Sequence, residues 1–115
     1  MKMPLLLAVC ACLALGVAEA RGGDAVGGDA VGGDAVAGKE RYLVNCVNCH
    51  GAAGKGMASF PSIEGRDADY IAERLIQYRA REKVGPNSAI MMSLAAGLSD
   101  DEIDNLAAYV SATFK

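Results

Sequence analysis

The chain has 115 residues, 52% of them hydrophobic, with 11 Lys and Arg against 14 Asp and Glu and a formal net charge of −3. That length allows one small domain once any leader is removed, and the acidic balance excludes a nucleic-acid binder, which would need a basic face. With one His, four Cys and no Trp, the side chains able to hold a metal or do redox chemistry are few enough to follow one by one.

Lys2, the apolar run Leu5 to Val17 and the small-x-small triplet Ala18-Glu19-Ala20 read as an export signal over residues 1–20. The run is 13 residues, too short to cross a bilayer. Cys10 and Cys12 lie inside it and leave with it. The competing processing, just before Cys12, would put a lipid anchor there but strand the apolar tail Leu13 to Val17 behind it. Losing residues 1–20 removes Lys2 and Glu19, so 10 basic and 13 acidic residues remain and the net charge stays −3.

Three copies of Gly-Gly-Asp-Ala-Val follow, beginning at Gly22, Gly27 and Gly32. So glycine-rich a segment cannot bury enough apolar surface to offset its ordering entropy, and residues 21–33 are expected as a flexible lead-in. The third copy differs: Asp34 can cap a helix through Gly38, Tyr42 and Leu43, so a domain spans residues 34–115. An acidic metal-binding repeat is the alternative, although Asp at period five matches no calcium loop.

That first helix leads into Cys46-Val47-Asn48-Cys49-His50. Two thiols three residues apart, followed at once by histidine, are the pattern of covalent haem c attachment. Each thiol adds across one haem vinyl group, and the next residue falls under the iron as the proximal ligand. A structural zinc site would need a fourth ligand, and a thioredoxin-like dithiol would need strands around it, of which none is evident.

Gly51-Ala52-Ala53-Gly54-Lys55-Gly56 is expected as a loop running close to a flat cofactor. In Phe60-Pro61-Ser62-Ile63-Glu64-Gly65, Pro61 is either a plain turn residue or the carbonyl acceptor for the second ring nitrogen of His50. Asp67 or Asp69 opens a second helix whose core stripe is Tyr70, Ile71, Leu75 and Tyr78; Glu73, Arg74, Gln77, Arg79 and Arg81 fall on its solvated face. Gly85-Pro86-Asn87 breaks it. Ser99-Asp100-Asp101-Glu102 is a capping box starting a terminal amphipathic helix with Ile103, Leu106, Ala107, Val110 and Phe114 on one face. Gly38 and Tyr109 mark a close crossing of the first and last helices. The fold class is all-α.

Opposite His50, Met57, Met91 and Met92 are the thioether candidates for the iron. Met57 stands seven residues after His50 on the glycine loop, an awkward start for reaching the other haem face. Met91-Met92 lies in a segment free to fold back over it, and periodicity does not choose between the two.

The residues together resemble the class I cytochromes c, in particular the small bacterial ones with one haem. The matching pieces are Gly38-x-x-x-Tyr42, Cys46 to Gly51, Phe60 to Gly65, Tyr70 to Tyr78, and Met91 to Ile103 with Leu106, Ala107 and Tyr109. The resemblance implies crossed N- and C-terminal helices packed around one haem c, and Met91, eight residues before the capping Ser99, as distal ligand with Met92 as runner-up. It also implies the Pro61 carbonyl as acceptor for His50. The Gly-Gly-Asp-Ala-Val repeat has no counterpart in the family pattern.

His/Met ligation fills both axial positions and raises the potential. The expected function is therefore a periplasmic single-electron carrier rather than an enzyme. It is expected as a monomer without a transmembrane segment in the mature chain, exchanging electrons with redox proteins, some membrane-bound, at a haem edge lined by Val47, Ala52, Ala53 and Met92. The alternatives are a dedicated haem subunit of a larger dehydrogenase, a haem sensor or enzyme with a labile sixth ligand, and a zinc or thiol site.

Overall fold

The computed structural model describes residues 32–115. The expected export signal over 1–20, with Cys10 and Cys12, and the first two repeats lie outside the described residues. Among the described residues five helices follow in chain order: α1 (Ala35–Asn45), α2 (Val47–His50), α3 (Ala68–Arg79), α4 (Ser88–Ala95) and α5 (Asp100–Thr113). Among the described residues the sole β pairing is an isolated bridge between Met57 and Phe60.

Asp34 starts α1 as expected. Its carboxylate accepts from the backbone N–H groups of Val36 and Ala37 at 2.8 and 3.3 Å, satisfying two otherwise orphaned donors. Its own N–H donates to Asn105 Oδ1 on α5 at 2.8 Å, tying the helix start to the last helix. Gly38 and Tyr42, one turn apart, are the buried positions of α1; Leu43 is half exposed. The domain's packing reaches Gly33, which lies against the backbone of Asp104 and Asn105.

α5 carries the core face read from its pattern: Ile103, Leu106, Ala107 and Val110 are buried, and Phe114 closes the helix end. Its capping box is complete, with Glu102 N–H donating to Ser99 Oγ at 3.1 Å and Ser99 N–H donating to Glu102 Oε2 at 2.9 Å. Phe114, Tyr109 and Tyr42 form an aromatic trio with centroids 5.2 to 5.6 Å apart, in the tilted and edge-on geometries that aromatic quadrupoles favour.

α3 begins at Asp67, whose side chain accepts from Tyr70 N–H at 2.8 Å. Ile71 is buried with Ala68 and Ala72, while Tyr70, Leu75 and Tyr78 pack partly buried against the same core. Arg79 departs from the solvated face expected for it. Its guanidinium donates to the Leu98 carbonyl at 3.0 Å and pairs with Asp100 at 2.6 Å, linking the end of α3 to the start of α5.

The segment around Met91 and Met92, to which the sequence reading assigns no secondary structure, is a helix, α4. Ser88 anchors its first turn, because the Ser88 hydroxyl accepts from the N–H groups of Val84 and Gly85 at 2.9 and 2.7 Å. Ala95 is fully buried at its far end. Met, Leu and Ala between those anchors are strong helix formers.

Candidate functional site

α1 runs into Cys46, and α2 is one helical turn in which His50 N–H donates to the Cys46 carbonyl at 3.0 Å. Residues i, i+3 and i+4 share one side of such a turn, and Cys46, Cys49 and His50 all border one hollow. Gly51 ends the turn with φ +83. The Tyr42 hydroxyl holds this exit by donating to the Gly51 carbonyl at 2.6 Å. Burial pushes the Tyr42 phenol up to about 12, so it stays a donor.

His50 is buried, and its Nδ1 lies 2.9 Å from the Pro61 carbonyl oxygen. A carbonyl only accepts, so Nδ1 carries the proton and Nε2 keeps the free lone pair a metal needs. Of the two roles open to Pro61, the geometry is that of the acceptor.

The hollow beside the cysteines has a volume of about 380 Å³, and a second of about 180 Å³ adjoins it. Cys46, His50, Pro61, Leu75, Met91 and Leu106 border both. Met92 borders neither, and Met57 is half exposed on the loop bridged to Phe60. Val47, Ala52 and Ala53, expected at a haem edge with Met92, also border neither. Ile90 and Leu94, 46% and 38% exposed, do border the larger hollow and form its apolar rim. The glycine loop serves another contact: Gly54, at φ +69, lies against the Phe114 ring, where a side chain would collide.

Of the basic groups here, neither Arg41 nor Arg66 is singled out by the sequence reading. Arg66 and Arg74 stack on the Tyr70 ring at 4.7 and 5.1 Å, and all three border the smaller hollow. Arg74 first, and then the Arg66 charge, lower the Tyr70 pKa against some desolvation, while Arg74 Nη1 donates to Gln77 Oε1 at 2.7 Å. The core stripe of the helix leaves Arg74 on the solvated face; its i, i+4 spacing from Tyr70 is the available sign of pairing. Arg41 borders the larger hollow, pairs with Glu102 at 3.2 Å and has a buried Nε without a hydrogen-bond partner.

The residues fit a haem. Two thiols and an imidazole with a free Nε2 stand at one wall, a thioether borders the same space, and apolar side chains supply most of the rest. The arginines offer donors for the porphyrin's carboxylates. They suit a thiolate metal site poorly. Among the described residues no Asp or Glu and no further His or Cys borders the hollow to give Cys46, Cys49 and His50 the fourth ligand a structural zinc site needs.

Comparison with known proteins agrees with this fit. The family model described as Cytochrome c matches residues 35–113. Cytochrome c-554(548) of Halomonas halodenitrificans is 41% identical over 73 residues, covering 63% of this chain and 88% of its own length. Cytochrome c-554(547) of Halothiobacillus neapolitanus is 40% identical over 82 residues, 64% of this chain and 90% of its own. A protein called thiosulfate dehydrogenase electron acceptor, from Stutzerimonas stutzeri, is 38% identical over 71 residues, 61% of this chain but 33% of its own. Among solved structures, reduced recombinant cytochrome c4 from Pseudomonas stutzeri superposes with a TM-score of 0.59 at 26% identity, over 70% of this chain and 50% of that one.

Proposed function

This chain belongs to the cytochrome c family and is a haem c electron carrier rather than an enzyme, and from that premise we propose that it works in the periplasm with His50 and Met91 as axial ligands. The architecture is the class I cytochrome c fold. The bound haem supplies a one-electron ferric and ferrous couple.

The chain's residues then have distinct tasks. Cys46 and Cys49 tether the porphyrin through thioethers, and His50 offers Nε2 while the Pro61 carbonyl fixes the plane of its ring. Met91 offers a soft thioether, which favours the reduced state and, with His50, leaves no easily exchanged position for small ligands. Leu75, Leu98 and Leu106 exclude water from the hollows, while Arg66 and Arg74 offer guanidinium groups to the carboxylate arms. Outer-sphere transfer asks only that a partner approach the haem edge, and the half-exposed Ile90 and Leu94 give it an apolar rim suited to brief contact.

The observation that carries the ligand assignment is that Met91 borders the same two hollows as His50 while Met92 borders neither. Periplasmic placement rests on the export signal read in residues 1–20. A relative named as the electron acceptor of a dehydrogenase favours a separate carrier that takes electrons from such an enzyme over a fixed subunit of one. The test is the optical spectrum of the exported, oxidised protein. The weak red band of a sulfur-iron bond should be lost in Met91→Ala and kept in Met92→Ala. Loss in Met92→Ala alone, or ready carbon monoxide binding by the native ferrous protein, would overturn the ligand assignment.

A further inference from the structure

Asn87 occupies the N-cap of α4, yet its side chain makes no capping hydrogen bond. Asn is among the best N-cap residues, so its amide being used elsewhere needs a reason. Its Nδ2 donates instead to the Ser59 carbonyl, 28 residues back, at 3.2 Å. Among the described residues no second hydrogen bond joins the 57–66 segment to α4.

The two ends of this clasp are both tied to the axial positions. Asn87 stands just before the first turn of α4, four residues ahead of Met91, and both border the larger hollow together with Ser59. Ser59 in turn stands two residues before Pro61, whose carbonyl takes the Nδ1 proton of His50. Beside it, Ala58 takes a left-handed φ of +49 within the two-residue turn that the Met57–Phe60 bridge closes, so Ser59 presents its carbonyl from a turn with its own reciprocal hydrogen bonds. Ser88, the other anchor at this end of α4, bonds only to the turn immediately before it.

We infer that Asn87 is a positioning residue: its bond to Ser59 clasps α4 to the segment that orients His50 and so keeps Met91 against the iron. The inference rests on the Met91 assignment above. Losing one neutral hydrogen bond of ordinary strength should raise the population with Met91 displaced by about three- to tenfold.

The test is the rate at which cyanide binds the ferric holoprotein, since it can enter only when the thioether has left. Asn87→Asp decides the question, because aspartate caps a helix as well as asparagine does but cannot donate to a carbonyl. Both Asn87→Asp and Asn87→Ala should bind cyanide about three- to tenfold faster than the wild type, while keeping the sulfur-iron band at rest. Met91→Ala gives the ungated upper limit. Wild-type rates in Asn87→Asp, with the band intact, would show that residue 87 serves only the helix end and would overturn the clasp. A sulfur band surviving in Met91→Ala would overturn the ligand assignment and the clasp with it.

Discussion

Gly38 on α1 lies directly against the backbone carbonyl of Asn105 on α5. A methyl group at Gly38 would overlap that carbonyl and come within 2.9 Å of Tyr109 Cβ. Neither neighbour can swing aside, since one is helix backbone and the other the root of a packed aromatic. Gly38→Ala should therefore force the helices apart and cost about 3 kcal/mol. In a domain of this size that lowers the thermal midpoint of the holoprotein by more than about 10 °C. A midpoint within a degree or two of the wild type would mean that the crossing is looser than this contact implies.

The crossing was legible because Gly38 on the first helix offers no side chain where the last helix, with Tyr109, can approach. The capping box of α5 was legible for a different reason: its chemistry is complete within four residues. α4 was not, because Ala89, Ile90, Met91, Met92 and Leu94 are apolar all round the helix and give periodicity no face to find. Which of two adjacent methionines faces the hollow follows from how α4 docks on α3, a tertiary relation that periodicity does not carry and that only the family's spacing to Ser99 pointed to. The same holds for Arg79, whose partners Leu98 and Asp100 stand 19 and 21 residues away. The cysteines and His50 needed no such relation, since one helical turn brings them to one side.

Tyr42→Phe isolates the bond at the exit of the haem motif. The ring packing against Tyr109 and Phe114 survives, but the 2.6 Å bond to the Gly51 carbonyl is lost. Leaving that partly buried carbonyl without its donor should cost about 1 to 2 kcal/mol in denaturant unfolding. Burial pushes the Tyr42 phenol up to about 12, so the hydroxyl never ionises in the ordinary range. The difference from wild type should accordingly stay constant between about pH 5 and 9; a difference that varies across that window would assign the effect to another group.

The capping box predicts an acid-dependent stability. Ser99→Ala removes the acceptor for Glu102 N–H and should cost about 1 kcal/mol. Glu102 titrates below the ordinary value of 4.5, first because its carboxylate accepts from the Ser99 backbone N–H, with the Arg41 charge adding to the effect against some desolvation. A carboxylate held low stabilises the fold fully above its unfolded pKa, and that stabilisation disappears as the pH falls through the lower folded value. Glu102→Gln should therefore be less stable than wild type at neutral pH, with the two urea midpoints converging in acid. Parallel curves down to the acid limit would show that the carboxylate's charge plays no part.

Asp104 carries the opposite sign. Burial raises its pKa, and Asp100 and Asp101, one turn earlier on α5, raise it further. A carboxyl held above its unfolded value folds more readily protonated, so the ionised side chain is a liability at neutral pH that fades as the pH falls through the folded pKa. Asp104→Asn removes the charge without touching the backbone on which Gly33 rests, and should raise stability at pH 7 by under about 0.5 kcal/mol, solvent screening limiting the gain. The gain should vanish below the ordinary Asp value of 3.8. Asp100→Asn relieves the same repulsion but also breaks the 2.6 Å pairing with Arg79, so it should show no such gain. If Asp104→Asn is no more stable than wild type at neutral pH, or Asp100→Asn gains as much, crowding of acids on the first turns of α5 is not what limits this helix.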